Sequence, residues 1–223
     1  MYAQPEKRDA RRYVNGDTGM KLILIMIIAY VAGSINFAII LFRFLGKDDP
    51  RASFSGNAGT TNVYRLAGPG WATLVFLLDV GRAVAVALLA VNALSAGQAP
   101  WAGLALVAGN RYPCFHRFEG GKGVANYLGF SAIVTPVGSI VSCAAWVVTY
   151  LSTRAPFIAS FSMVLILAFA TAHASSYAPG AVSGALLTAL FIIFNHRKNI
   201  SAARIAKNRG EKDDGDEDRL MQD

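Results

Sequence analysis

The chain has 223 residues, of which 54% are hydrophobic and only 16% are charged, and its formal net charge is +7. Because a soluble globular domain carries about 25% charged residues, this composition excludes an ordinary soluble protein and favours an integral membrane protein. The lysines and arginines have no basic helix or aromatic platform beside them, which argues against a nucleic-acid-binding protein.

Seven apolar runs follow one another along the chain, and each is predicted to form a transmembrane or re-entrant helix. The fourth and fifth runs divide one apolar stretch, 124–152, that is too long for one span and too short for two. We predict two short helices there, separated at Thr135-Pro136. The runs cover approximately 22–44, 69–91, 101–115, 124–134, 137–152, 156–175 and 181–194. The sequence therefore predicts an all-α, polytopic membrane helical bundle of about seven transmembrane helices, some of them short or re-entrant.

Three regions are predicted along the chain. Residues 1–20 form a polar N-terminal extension, which is not native if translation starts at Met20 instead of Met1. Residues 21–206 form a single membrane domain. Residues 207–223 form a charged tail that we predict to be disordered.

Asp79 and Arg82 lie three residues apart within the second run, so they share a helix face. Because an unpaired charge at membrane depth is costly, we predict an intramembrane ion pair here instead of two catalytic groups. No group of histidine, cysteine or acidic residues has metal-ligand spacing, and the sequence predicts neither a metal nor a cofactor.

Lysine and arginine are distributed unevenly among the predicted loops. The loops after the second, fourth and sixth runs contain neither residue, whereas the loops after the first, third, fifth and seventh runs each contain at least one. The positive-inside rule therefore places polar segments one (49–65), two (118–123) and three (195–199) together on the cytoplasmic face. The basic residues before Met20 then lie outside, which is an objection to this topology unless Met20 is the start.

The three polar segments carry groups that bind anions. Polar segment one combines hydroxyls, amides and glycines that can cradle a phosphate, and Arg65 adds a bidentate donor. Polar segment two places Lys122 among glycines before a helix, where the helix N-terminus favours an anion. Polar segment three places His196 and Asn199 on one side of a helix if the helix continues. Each segment alone also fits a surface loop that contacts lipid headgroups.

Taken in order, the motifs resemble those of the small bacterial membrane enzymes that transfer an acyl group from acyl phosphate to glycerol 3-phosphate. That family carries G-S-I-x-F, D-I-R, S-G-N-x-G-A-T-N-V-x-R, then G-H-x-x-P followed by F-K-G-G-K-G-V-A, and finally H-R-E-N-I. The matching positions in this chain are 33–37, 49–51, 55–65, 109–125 and 196–200. The similarity extends from about residue 21 to 205, and the combination is far more specific than any one motif.

The chain departs from this family pattern at several positions. Asn110 replaces the histidine of G-H, and Glu119 replaces the lysine of F-K-G-G. Lys198 replaces the glutamate of H-R-E-N, Thr60 replaces the alanine of G-A-T-N, and Arg82 replaces the lysine of the family's D-x-x-K-G. A paralogue that is inactive or has a different substrate therefore remains an alternative.

The resemblance implies transfer of a fatty acyl group from acyl phosphate to the 1-hydroxyl of glycerol 3-phosphate, giving lysophosphatidic acid and phosphate for phospholipid synthesis. It implies Ser55, Lys122 and His196 as catalytic residues, although a substrate phosphate oxygen is an alternative base to His196. The implied substrate-binding residues are Arg51, Gly56, Asn57, Thr61, Asn62, Arg65, Gly120, Gly121, Gly123 and Asn199.

The resemblance also implies a multi-pass protein of the bacterial inner membrane with its active site on the cytoplasmic face. Its expected partners are the two substrates, membrane lipid and, as an optional partner, the enzyme that forms acyl phosphate. Two other classes stay open: a transporter of small anions or lipid headgroups, and an interaction protein for that acyl-phosphate-forming enzyme. The lack of a convincing internal repeat argues against the transporter.

Overall fold

In the computed structural model, the backbone of residues 5–205 and the side chains of residues 18–205 are described, and all regular secondary structure in that range is helical. The predicted tail at 207–223 and residues 1–4 of the predicted extension lie outside the described residues. The helices are α1 (Pro5–Gly33), α2 (Phe37–Phe44), α3 (Thr60–Ala67), α4 (Pro69–Ala93), α5 (Ala99–Arg111), α6 (Val124–Val134), α7 (Pro136–Thr153), α8 (Pro156–Ala174), α9 (Pro179–Asn195) and α10 (Arg197–Ile205), with a 3₁₀ turn at Pro50–Ala52.

The predicted all-α membrane fold is confirmed, and every predicted apolar run forms a helix. Four segments of the described chain are long and apolar enough to cross a membrane alone, namely Thr18–Phe44, α4, α7 and α8. A fifth is obtained if α9 and α10, which meet at a bend of 45°, count as one span. Helices α5 and α6 have only 13 and 11 residues and are the short members of the bundle.

Proline and glycine set several of the helix boundaries. Helix α6 ends at Val134 and α7 begins at Pro136, which confirms the predicted break at Thr135-Pro136. Proline suits the first turn of a helix, because its fixed φ is helical and the missing N–H has no intrahelical acceptor there. Gly68 joins α3 to α4 with a φ of +87°, a conformation that side chains with a Cβ rarely adopt.

Small residues bring α1 and α5 into backbone contact. A Cβ added at Gly33 of α1 would overlap the carbonyl of Leu106, and a Cβ added at Gly109 of α5 would overlap the carbonyl of Tyr30. Between membrane helices, where lipid is as apolar as leucine, such close packing is a main source of association. The α1–α5 pair therefore forms a tight part of the scaffold.

The first span is interrupted between α1 and α2, and the interruption holds polar segment one in place. Asn36 caps α2, because its Oδ1 accepts a hydrogen bond from the backbone N–H of Ile39 at 3.1 Å. Its Nδ2 donates to the carbonyl of Ala58 at 3.1 Å, and the residue is only 1% exposed. A buried side chain with donor and acceptor both satisfied thus ties the membrane helix to the loop.

The predicted ion pair between Asp79 and Arg82 is confirmed. An Arg82 Nη2 atom lies 2.8 Å from Asp79 Oδ1, and the two side chains are 8% and 9% exposed. Arg82 also donates to Asn126 Oδ1 at 2.5 Å and to the carbonyl of Ile35. One guanidinium therefore connects α4 to α6 and to the break before α2.

Candidate active site

A cavity of about 630 Å³ lies where the three polar segments meet. Each segment contributes to its wall, so the structure brings together residues that are far apart in the chain. Of the predicted site residues, the cavity is lined by Ser55, Asn57, Thr61, Arg65, Gly121, Lys122, Gly123, His196 and Asn199. The predicted site residues that do not line it are Arg51, Gly56, Asn62 and Gly120. The chemical role of each residue stays a prediction.

Arg51 lies outside the cavity wall and joins polar segment one to polar segment two. Its guanidinium forms a salt bridge with Asp49 at 2.6 Å, which holds the pKa of that carboxyl below its usual value. Its Nη1 atom donates to the carbonyls of His116 and Glu119, each at 2.8 Å. Because all three guanidinium nitrogens already donate to groups of the protein, we interpret Arg51 as a residue that shapes the site.

Asn62 and Gly56 serve the conformation of polar segment one. The buried Asn62 Nδ2 donates to the carbonyls of Pro50 and Ser53 at 2.6 and 3.2 Å, which closes the loop onto α3. Gly56 has a φ of +62° at the turn of the same loop, and glycine adopts that conformation without steric cost. Both residues therefore stabilise the backbone conformation of the loop that carries Ser55.

The N-terminus of α6 lies at the cavity wall. Gly123 precedes the helix with a φ of +93°, and Gly123, Val124 and Ala125 all line the cavity. The first N–H groups of a helix have no intrahelical acceptor, and the helix dipole favours an anion at this end. Because Lys122 stands directly before Gly123, a fixed cation and a helix N-terminus lie beside each other.

Lys122 connects polar segments two and three. Its Nζ donates to Asn199 Oδ1 at 2.6 Å, and Asn195 Nδ2 donates to the Lys122 carbonyl at 3.3 Å. Burial, together with the charges of Arg65 and Arg111, lowers the pKa of Lys122 to about 8. These cations repel one another, and a bound anion relieves that repulsion.

His196 is 3% exposed and lies in the bend between α9 and α10. Its Nδ1 is 2.8 Å from the carbonyl of Ile192, and because a carbonyl can only accept, Nδ1 carries the proton. Burial, more than any other cause, lowers the pKa of His196 to about 4, with a further lowering from Lys122. The imidazole is therefore neutral at pH 7, and Nε2 is its free acceptor.

The comparisons with known proteins agree with this geometry. The sequence model for "Glycerol-3-phosphate acyltransferase" matches residues 23–206. The chain belongs to the glycerol-3-phosphate acyltransferase family. The glycerol-3-phosphate acyltransferase of Pseudomonas fluorescens is 38% identical over 178 residues, which cover 79% of this chain and 93% of that protein. That of Azotobacter vinelandii is 37% identical over 187 residues, or 83% and 97% of the two chains.

Solved structures show the same fold. The crystal structure of PlsY (YgiH), an integral membrane glycerol 3-phosphate acyltransferase, in its glycerol 3-phosphate form superposes with a TM-score of 0.77 at 33% identity. The alignment covers 84% of this chain and 93% of that chain. The lysophosphatidic acid form of PlsY gives a TM-score of 0.75 with the same identity and coverage. The family resemblance seen in the sequence is therefore confirmed.

Asn110 is a departure from the family pattern that lies at the cavity of this acyltransferase family member. It is 3% exposed, it lines the cavity, and its backbone carbonyl accepts from the N–H of Gly121 at 2.9 Å. A side chain at Gly120 would overlap that carbonyl, which explains the glycine there. The sequence marked Asn110 only as a departure and did not count it among the site residues.

The other departures lie differently. Glu119 and Lys198 have exposed side chains and do not line the cavity. The backbone carbonyl of Glu119 accepts from Arg51, and its N–H donates to the carbonyl of His116, so neither bond requires a glutamate side chain. Thr60 does line the cavity, at the start of α3. The acidic side chain of Glu119 is therefore not part of the cationic cavity wall.

Part of the cavity wall is apolar, and this part was not predicted from the sequence. Its wall comes from α4, α6, α7 and α8, helices that were recognised only as membrane spans. The apolar residues are Phe76, Leu128, Trp146, Val147, Phe157 and Met163. One cavity is therefore lined both by cationic and amide groups and by apolar side chains.

Proposed function

We propose that this protein transfers a fatty acyl group from an acyl phosphate to the 1-hydroxyl of glycerol 3-phosphate, producing lysophosphatidic acid and inorganic phosphate. The observation that supports it best is one cavity that is lined by the cations Lys122 and Arg65 and also by apolar side chains, among them Trp146. PlsY has been solved in a glycerol 3-phosphate form and a lysophosphatidic acid form. These two molecules share a phosphate and differ by an acyl chain, which suits a cavity with both cationic and apolar lining residues.

The reaction needs no covalent acyl-enzyme. The 1-hydroxyl oxygen attacks the acyl carbon, a new C–O ester bond forms, and the bond from that carbon to the phosphate oxygen breaks with its electron pair. The hydroxyl proton passes to His196 Nε2 or to an oxygen of the departing phosphate. Because phosphate is already a good leaving group, positioning and charge stabilisation supply the acceleration.

The lining residues divide between the two phosphates. Ser55 and Asn57, with neighbouring backbone N–H groups, bind the leaving phosphate, and Lys122 neutralises its developing charge. Arg65 adds a bidentate contact that a lysine would not make. His196 and Asn199 orient glycerol 3-phosphate so that its hydroxyl faces the acyl carbon.

Phosphate release from the purified protein tests the function. With acyl phosphate as donor, we expect phosphate and lysophosphatidic acid to appear only when glycerol 3-phosphate is added. No release in either condition would favour the transporter or the inactive paralogue, whereas release that does not depend on the acceptor would show hydrolysis of the acyl phosphate and would overturn the transfer reaction. Replacing the donor by acyl-CoA should abolish transfer, and equal transfer from acyl-CoA would overturn the choice of donor.

We further propose that the cavity opens on the cytoplasmic side of the inner membrane, because the basic loops of the polar segments surround it. Cys114 offers a native probe, since it is exposed next to polar segment two and does not line the cavity. In a Cys143→Ser background, a membrane-impermeant maleimide is expected to label Cys114 in inside-out vesicles but not in intact spheroplasts. Labelling only in spheroplasts would place the cavity on the outer side.

Replacing His196 by asparagine separates its two nitrogens. The asparagine amide can still donate to the carbonyl of Ile192, as Nδ1 does, but it has no group at the position of Nε2. We expect kcat/KM for glycerol 3-phosphate to fall by about 10- to 100-fold, because the variant loses a hydrogen bond to a reacting or charged group. Steady-state kinetics measure the loss, while an unchanged thermal unfolding midpoint shows that the hydrogen bond to the carbonyl of Ile192 is kept. Wild-type kinetics in this variant would remove Nε2 from the mechanism.

The pH dependence of kcat/KM reports the charge of Lys122. With a pKa of about 8, Lys122 is protonated below pH 8 and loses its charge above it, so we expect kcat/KM to fall up to about tenfold per pH unit beyond that value. His196, whose pKa is about 4, stays neutral throughout this range. Lys122→Arg, which keeps a charge at every pH, should be slower but without the alkaline fall. If the fall persists in that variant, another group causes it.

A further inference from the structure

Asn110 differs from the other buried asparagines of the described chain. The buried asparagines there are Asn36, Asn62, Asn110, Asn126 and Asn195. Each of the others forms a hydrogen bond through its side-chain amide. The Asn110 side chain forms none with the part of the chain that the structure describes. Because a buried amide without a partner costs free energy, an unpaired one in this position points to a ligand.

The side-chain amide of Asn110 has access to the cavity. The residue is buried and lines the cavity. Its amide nitrogen and oxygen are not among the completely covered polar atoms of the described residues that lack a partner. Since both atoms lack a partner, each keeps some accessible surface, and for a residue of the cavity wall that surface belongs to the cavity. The amide is therefore presented to whatever binds there.

Asn110 lies where polar segments one and two meet. A Cβ added at Gly121 would lie 2.5 Å from Asn110 Oδ1 and 3.1 Å from the carbonyl of Ala58, so both oxygens approach the same glycine. The backbone N–H of Gly121 already donates to the carbonyl of Asn110. Lys122 follows Gly121 directly and lines the same cavity. The amide thus lies close to the lysine that the proposed function assigns to a phosphate.

The charges of the cavity wall favour an anionic ligand for this amide. Lys122 and Arg65 line the cavity as cations. Among the described residues that line it, Asp79 is the acidic one, and it is already paired with Arg82. Each phosphate oxygen accepts more than one hydrogen bond, so an uncharged N–H donor complements the cations without adding to their mutual repulsion.

We infer that Asn110 is a substrate-binding residue, and that its Nδ2 donates to an oxygen of a phosphate held beside Gly121 and Lys122. The inference rests on the proposed function, because both substrates bring a phosphate to this cavity. It assigns a role to a position where this chain has asparagine and the family motif has histidine. An amide does not titrate, so this donor is the same at every pH at which a histidine would change its charge.

Asn110→Asp tests the contact, because a carboxylate has nearly the same shape as the amide but repels a phosphate. Inorganic phosphate, titrated into the purified protein without acyl donor, is the probe, and the rise of the thermal unfolding midpoint gives its Kd. We expect that Kd to rise at least about tenfold, the cost of losing a hydrogen bond to a charged group. Asn92→Asp is the matched control, since Asn92 is exposed and does not line the cavity. An unchanged Kd in Asn110→Asp, or an equal rise in Asn92→Asp, overturns the inference.

Two further variants separate binding from a structural role. Asn110→Leu keeps the branched outline of the side chain but has no donor, so phosphate should bind as weakly as in Asn110→Asp. Its unfolding midpoint without phosphate is expected to stay equal or rise, because no unpaired amide is then buried. Asn110→His retains an N–H donor and should bind phosphate more tightly than Asn110→Leu does. Equal affinity in these two variants would rule out the donor role.

Steady-state kinetics identify which phosphate Asn110 binds. If it is the donor's, kcat/KM for acyl phosphate falls by about 10- to 100-fold in Asn110→Leu while KM for glycerol 3-phosphate is unchanged. If it is the acceptor's, KM for glycerol 3-phosphate rises instead, and a change in neither overturns the inference. A wild-type protein without acceptor-dependent transfer fails the proposed function. A protein that transfers acyl groups, but whose Asn110 variants bind phosphate as the wild type does, fails only this inference.

Discussion

Lys122→Ala is expected to lower kcat/KM for acyl transfer by about 10²- to 10³-fold while the protein stays folded, the usual cost of removing one group that stabilises transition-state charge. Lys122 is the residue through which two of the polar segments meet, since its Nζ contacts Asn199. It lines the cavity together with Arg65. Without it, the phosphate loses its compact point charge beside the α6 N-terminus.

The same substitution should not destabilise the fold. The lowered pKa of Lys122 means that the folded state holds the ammonium less favourably than the unfolded chain does. For a lysine of this kind stability rises with pH between the folded pKa of about 8 and the unfolded value, and the charge is a cost at every pH below 8. Removing the charge removes this cost, so the thermal unfolding midpoint is expected to stay equal or rise.

Activity and unfolding are therefore measured on the same preparation. Lys198→Ala is the matched control, because Lys198 is an exposed lysine of polar segment three that does not line the cavity. It should keep near-normal kinetics. Near-normal turnover in Lys122→Ala would remove Lys122 from the catalytic group, whereas a lowered midpoint would show that the lysine has a structural role.

The sequence was sufficient to predict which segments build the polar half of the site. Each segment has its own sequence motif, and the loop charges predict that all three lie on one face of the membrane. It could not tell which polar side chains face the cavity. Arg51 and Asn62 belong to the same polar segment as Ser55 and Asn57, yet they donate to backbone carbonyls of the loops. Amides and guanidinium groups serve equally well for holding a loop or a phosphate, so residue type alone does not separate them.

The apolar half of the site could not be predicted for a different reason. In a membrane helix, positions that face lipid, a neighbouring helix or an acyl chain are all apolar. Phe76 and Trp146 therefore look like any other residue of their spans, and periodicity carries no signal to single them out. Only the three-dimensional arrangement, which places both side chains on the wall of the cavity, distinguishes them.

The helix count shows a similar limit. Each apolar run contains a helix, and Pro136 marks the break between α6 and α7, but α3 begins within polar segment one and was not predicted. Whether a run crosses the bilayer depends on its length, and α5 and α6 are shorter than the roughly 20 residues that a full span needs. Asn110, next to the last residue of α5, lines the cavity, so this helix ends where the site begins.

Arg82→Ala is expected to cost about 3–5 kcal/mol of folding stability, because it leaves the buried carboxylate of Asp79 without its cation. The substitution also removes the donor to Asn126 Oδ1 and the donor to the carbonyl of Ile35. Both side chains of the pair are less than a tenth exposed, so solvent cannot compensate for the lost charge. Unfolding in detergent, followed by circular dichroism, measures the effect.

Two further variants identify the origin of that cost. Replacing both partners, as Asp79→Leu with Arg82→Leu, should be markedly less damaging than Arg82→Ala alone, since no charge is then left buried. Arg82→Lys should be intermediate, because an ammonium keeps the ion pair with Asp79 but cannot also span to Asn126 and Ile35 as the planar guanidinium does. If the double replacement is as unstable as Arg82→Ala, the loss comes from these two cross-helix hydrogen bonds, and the ion pair itself contributes little to holding α4 against α6.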